Sequence, residues 1–186
     1  MSNPLRILQT LDKHLEAAAE ITLFGRAALA LGYPNAPSSF HNTQDVDGIL
    51  PLAWLNAEDS HDDFWRALQE TNQELESDGL YLTHLFRELD VILTPAWIGC
   101  RKKLELGLVK LKVYRPATLD LILTKMARGD EEDLRDIRFL LEQEPLTPDE
   151  LRNAFQSARL PDLPEIPELF LAAQPKVLAL VDPNAG

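Results

Sequence analysis

Cysteine occurs once in the 186 residues, at Cys100. No intrachain disulfide can form, and a zinc site of the multi-cysteine type is excluded. Long apolar runs are also missing. None reaches the roughly 20 residues that a membrane-spanning helix needs. The opening residues, Met1-Ser2-Asn3-Pro4, carry no basic stretch followed by an apolar one, so no signal peptide is expected. A cytoplasmic protein with no membrane attachment is the expectation. Basic residues are scarce too: 18 Lys and Arg face 30 Asp and Glu, for a net charge of -12. A protein held to DNA or RNA by phosphate contacts alone would be basic, so the balance argues against a non-specific nucleic-acid binder. A nucleotide substrate stays compatible, because a bound Mg²⁺ inverts the local field of a carboxylate site. Internal repeats and low-complexity tracts are absent.

Hydrophobic residues make up 45% of the chain, enough for a real core. Asn3-Pro4 reads as a cap followed by a first-turn proline, and Leu5, Leu8, Leu11 and Leu15 recur at helical spacing to about Glu20. Residues 21–24 form a short apolar run ended by Gly25, suited to a buried strand and a tight turn. The pattern then predicts a helix over 26–31 stopped by Gly32, a loop over 33–42 and a strand over 46–50. An amphipathic helix is expected over 59–77, then strands over 80–83 and 89–93. Residues 104–114 read as one or two strands broken near Gly107. After Pro116 the pattern turns helical, with helices over 118–127 and 131–143. Thr147-Pro148-Asp149-Glu150 opens a further helix with a capping box. Pro175 is expected to interrupt a helical tail. The order predicts an α+β fold: a mixed sheet flanked by helices, with a helical C-terminal part. Residues 1–116 form the expected α/β core, and 117–186 the helical part packed on it as one compact domain.

The most informative stretch is Thr43-Gln44-Asp45-Val46-Asp47-Gly48-Ile49-Leu50. Two aspartates one residue apart on a strand point to the same face. Adjacent like charges are costly unless a cation sits between them, and a divalent metal is the usual solution. A solvated strand end is the ordinary alternative. About twenty residues upstream, Leu23-Phe24-Gly25-Arg26-Ala27-Ala28-Leu29 joins an apolar strand to a small-residue helix. A glycine there lets backbone approach a phosphate, and a helix N-terminus favours anions. Downstream, Asp90 leads the apolar run Val91-Ile92-Leu93, where a neighbouring strand would bring a third carboxylate.

In order and rough spacing, Gly25, Asp45, Asp47 and Asp90 resemble the motif of the DNA polymerase β-like nucleotidyltransferase superfamily. Residues 80–93 and the segment around Asp120 further resemble small bacterial nucleotidyltransferase-like proteins related to AbiEii-type toxins. So does a leucine-rich helix carrying Lys125 and Arg128, followed by Asp130-Glu131-Glu132-Asp133-Leu134-Arg135-Asp136-Ile137. The resemblance covers roughly residues 20–142. It implies Asp45, Asp47 and Asp90 as catalytic residues that bind Mg²⁺ (or Mn²⁺). It also implies Gly25, Arg26 and Lys125 as nucleotide-binding residues, with Asp133 and Asp136 in support. The expected activity is transfer of a nucleoside monophosphate from an NTP to a hydroxyl of RNA, protein or a small molecule. The same resemblance allows a catalytically degenerate protein that binds an antitoxin-like protein partner.

One departure bears on activity. Arg26 stands where the family carries Gly or Ser. Its guanidinium either binds phosphate or fills the pocket and pairs with Asp45 or Asp47 in a metal-free protein. The spacing of Lys125 with Arg128, and of Asp133 with Asp136, fits a salt-bridge array between two helices equally well. His41 reads as a polar loop residue and His84 as a strand-end histidine. Trp54, Trp65 and Trp97 read as core aromatics. Ser38-Ser39 lacks partners for a nucleophile, and Arg101-Lys102-Lys103 reads as a solvated strand edge.

Overall fold

The computed structural model describes residues 2–57 and 61–181. The fold is α+β, a five-stranded mixed sheet flanked by helices, with a helical C-terminal part. The chain divides into two compact units. One comprises Met1–Phe86 and Arg101–Arg115, the other Arg87–Cys100 and Pro116–Gly186. Residues 87–100 thus group with the helical part, although they precede two strands of the sheet in sequence. Among the described residues no helix is long and apolar enough to cross a membrane.

The first unit opens with α1 (Asn3–His14), which buries Ile7, Leu8 and Leu11. The leucine spacing predicts a helix to about Glu20, but the helix stops at His14. The carboxylate of Asp63 accepts the N–H groups of Glu16, at 3.0 Å, and Ala17, at 2.9 Å. Those donors are thereby removed from a helical ladder, and Ala19 enters the sheet opposite Leu111. Next come β1 (Ala19–Phe24), α2 (Gly25–Gly32), α3 (Ser38–His41), β2 (Asp45–Leu50) and α4 (Leu52–Leu55). The one-turn helices α3 and α4 have no counterpart in the sequence reading. Gly32 ends α2 without a left-handed residue. A Cβ there would lie 2.4 Å from Cδ of Arg115, so close packing is what requires glycine.

α5 (Asp62–Leu75) matches the predicted amphipathic helix, whose expected start at Asp59 lies outside the described residues. A 3₁₀ turn and a left-handed Gly79 (φ 65°) lead into β3 (Tyr81–Arg87). β4 (Lys102–Leu104) and β5 (Leu111–Arg115) close the sheet, separated at Gly107 (φ 71°) as the break in the pattern suggests.

The strand order is β3-β2-β1-β5-β4. β1 runs antiparallel to β2, with Phe24 opposite Asp47, and parallel to β5. The Tyr81 N–H donates to the Gln44 carbonyl at 2.9 Å. His84 faces Asp47 at the same separation of 37 residues. Leu85 crowds Gly48 at that separation again. A constant separation means that β3 runs parallel to β2. The strand expected over 89–93 is corrected by the structure. Glu88–Asp90 is a 3₁₀ turn, and Leu93 makes only an isolated bridge to Arg159. Val91, Ile92 and Leu93 are all buried, a run without alternation that does not require a sheet.

The second unit contains α6 (Thr118–Lys125), α7 (Glu131–Gln143), α8 (Pro148–Ser157) and α9 (Ile166–Val181). Asp130 caps α7 by accepting the Asp133 N–H at 2.9 Å. Thr147 and Glu150 form the capping box expected from sequence. α9 continues through Pro175, contrary to the expected interruption. Buried Ala173 and Val177 flank the proline and anchor the helix on both sides of the lost hydrogen bond.

Candidate metal centre

The geometry starts on β2. Asp45 and Asp47 lie two residues apart and share a face, while Val46 between them is fully buried. The Thr43 hydroxyl donates to Asp45 Oδ1 at 2.7 Å. Strand pairing places Asp47 beside Phe24, where β1 turns into α2. The turn residue Gly25 is left-handed (φ 60°), and a Cβ on it would stand 3.3 Å from Asp47 Oδ2. A side chain here would be strained by its backbone and would press on the carboxylate.

On the other side of β2, β3 brings His84 to Asp47. Its Nδ1 lies 3.1 Å from Asp47 Oδ1 and 3.1 Å from the Thr83 hydroxyl. Donor atoms of Asp45, Asp47 and His84 all lie within 4.8 Å of one another, the only such group among the described residues. The sequence reading sets His84 aside as a strand-end histidine. Register is what reveals it. Strand β3 must be placed parallel to β2, with Tyr81 opposite Gln44, before His84 falls opposite Asp47. Nothing local in Thr83-His84-Leu85-Phe86 carries that information.

Arg26 belongs to the same unit as the cluster, whereas Asp90 and Lys125 belong to the second unit. Arg26, in the first turn of α2, holds its guanidinium 5.7 Å from the centre of the Phe40 ring. Asp90 sits in the second unit, in the turn after β3. Arg87 donates to both of its oxygens, at 2.7 and 2.8 Å, and the Arg87 N–H adds a bond at 3.2 Å. The Arg87 side chain holds the Asp90 carboxyl below the usual carboxylate range, against a smaller upward push from burial. Asp90 thus occurs as half of a clamped ion pair.

Lys125 is buried at the end of α6. Its Nζ lies 2.6 Å from Asp136 and 3.5 Å from Asp133, both buried on α7. Arg128 completes the group with two bonds of 3.0 Å to Asp133. These four residues form an inter-helix salt-bridge array inside the second unit, in which Lys125, Asp133 and Asp136 are buried and the Arg128 side chain is exposed.

Two carboxylates and an imidazole converging on one point fit a divalent cation. Three protein donors leave further coordination positions for water or substrate oxygens. Comparisons with protein-family models, with curated proteins and with solved structures give no match.

Proposed function

We propose that the protein is a metal-dependent nucleotidyltransferase, moving a nucleoside monophosphate from an NTP to an acceptor hydroxyl. The observation that carries this reading is the approach of Asp47, with Asp45 on the same strand face, to the left-handed Gly25 turn at the start of α2. The strand–glycine–helix unit, followed by Asp-x-Asp on the neighbouring antiparallel strand, supports the resemblance to polymerase β-like nucleotidyltransferases. Asp45 and Asp47 hold the ion. An ion held by Asp45 and Asp47 would supply Lewis-acid chemistry for phosphoryl transfer, namely orientation of the α-phosphate and neutralisation of charge on the leaving pyrophosphate. Gly25 has no side chain to block an approaching phosphate, and the N-terminus of a helix such as α2 favours anions. Arg26 offers its guanidinium from the same turn. The acceptor class, whether RNA, protein or small molecule, and a cytoplasmic location belong to the same proposal.

A second reading is favoured by one specific observation. Residues that the resemblance assigns to nucleotide and chemistry are engaged in ion pairs: Asp90 with Arg87, and Lys125 with Asp136 and Asp133. A nucleotidyltransferase fold that has lost catalysis and binds an antitoxin-like partner fits that engagement.

Label transfer separates the two. Each α-³²P NTP is incubated with Mg²⁺ or Mn²⁺, total cellular RNA and protein, and either the wild-type chain or Asp47→Asn. The proposal expects label on one acceptor class with the wild type and background with the variant, whose melting temperature stays close to that of the wild type. Equal labelling by the variant overturns the role of Asp47. The second reading expects no label, and no rise in melting temperature with any NTP and Mg²⁺.

A further inference from the structure

We propose that His84 is the third protein ligand of the ion held by Asp45 and Asp47, so that the site selects an ion that accepts nitrogen, Mn²⁺ ahead of Mg²⁺. The inference rests on the reading of these aspartates as a metal centre. It adds a residue that the Asp-x-Asp motif does not contain.

Position comes first. His84 reaches Asp47 from a different strand, fixed by the parallel register of β3 on β2. Its Nδ1 stands 3.1 Å from Asp47 Oδ1, and the three donor atoms spread over no more than 4.8 Å. Donors bound to one ion at about 2.1 Å lie about 3 Å apart at right angles and about 4.2 Å apart when opposite. The His84–Asp47 pair already has the spacing of adjacent ligands, and a pair at the 4.8 Å limit closes by about 0.6 Å to stand opposite across an ion or by about 1.8 Å to stand at right angles.

Chemistry decides which ion. Mg²⁺ takes oxygen and keeps its water, whereas imidazole nitrogen suits transition ions. On binding, the Nδ1 lone pair turns to the metal and the ring proton resides on Nε2. The His84 side chain is 63% exposed, so the remaining coordination positions are open to water and substrate. The competing account is an exposed histidine–aspartate pair, which contributes little and selects no ion.

The test uses the full chain stripped of metal with EDTA. Mn²⁺ binding is followed by the electron paramagnetic resonance of the free ion, Mg²⁺ binding by competition, and ¹⁴N coupling to bound Mn²⁺ by electron spin echo. We expect ¹⁴N coupling in the wild type and its loss in His84→Ala. Affinity for Mn²⁺ should fall by about tenfold or more in that variant, and affinity for Mg²⁺ by less than about threefold. His84→Asp should restore tight binding of both ions and lower the Mn²⁺ preference, which also guards against a folding defect in the alanine variant. Many oxygen sites prefer Mn²⁺ modestly, so the decisive quantity is the change in preference on substitution. Bound Mn²⁺ without ¹⁴N coupling, or equal losses for both ions, overturns the role of His84 and leaves the carboxylate site standing. Failure of the wild type to bind either ion overturns both.

Discussion

A methyl group placed on Gly25 would stand 3.3 Å from Oδ2 of Asp47, the carboxylate that His84 approaches from the other side. Gly25 also holds a left-handed backbone at φ 60°. Gly25→Ala therefore has two separable effects. Left-handed backbone costs an L-residue about 1–2 kcal/mol, so urea unfolding should shift by that amount. The displaced carboxylate should weaken metal binding beyond what stability explains. Unchanged Mn²⁺ affinity at the reduced stability would show that Asp47 moves aside without consequence.

The Lys125–Asp136 pair gives a prediction about folding. Both side chains are buried, and Asp133 shares the lysine. Removing one partner of a buried pair strands the other charge, at about 3–5 kcal/mol. Lys125→Met should lose about that much in urea unfolding. Lys125→Met combined with Asp136→Leu should recover most of it, because the stranded charge is gone. Reduced nucleotide affinity at unchanged stability would instead return Lys125 to the phosphate-binding role that the resemblance implies.

Much of the frame was readable without coordinates because it rests on local signals. The capping box at Thr147 and Glu150, the start of α7 after Asp130, and the break at Gly107 are set by residues within a few positions of each other. The pairing of Asp45 with Asp47 follows from strand period alone. What failed depends on distant partners. Asp63, far along the chain, ends α1 early by taking the N–H groups of Glu16 and Ala17. The strand expected at Asp90 is a local exception: Arg87, three residues back, clamps the Asp90 carboxylate and the segment folds into a turn. His84 enters the site only through the β2–β3 register. The two carboxylates of the candidate site that lie on one strand were legible; the imidazole needed the sheet.

Asp12 ties α1 to the start of β5. Its carboxylate accepts the N–H groups of Lys110 and Leu111 at 2.7 Å and of Val109 at 3.1 Å. Partial burial pushes the carboxyl upward. The backbone bonds from Val109, Leu111 and Lys110, with the Lys110 charge, outweigh that push and hold it below its ordinary value of 3.8. A folded value below the unfolded one gives stability that is complete above pH 3.8 and is lost as pH falls through the folded value. Asp12→Ala should lower stability at pH 7 by about 2–3 kcal/mol, since charge-assisted bonds are involved. The difference from wild type should shrink as unfolding is repeated toward pH 3. A constant difference across that range would assign the loss to packing rather than to the carboxylate charge.

Asp120 gives the opposite sign. It is buried in the first turn of α6, and burial raises its carboxyl above 3.8. The Thr94 N–H, at 2.7 Å, and the Thr94 side chain pull the other way but do not cancel the push. With the folded value above the unfolded one, the native state holds the proton more tightly. Its contribution is favourable in full below 3.8 and is lost as pH rises through the folded value, above which a charged, desolvated group is left. Asp120→Asn keeps an oxygen for the Thr94 N–H and removes the charge. The variant should melt higher than wild type at pH 7, by about 2–4 °C for each kcal/mol relieved. That advantage should shrink as pH falls and Asp120 takes up its proton in the folded state. A lower melting temperature at pH 7 would mean that the ionised carboxylate is the form the fold requires, bound strongly enough by Thr94 to outweigh its burial. Parallel melting curves of the two proteins at pH 4 and pH 7 decide between these outcomes.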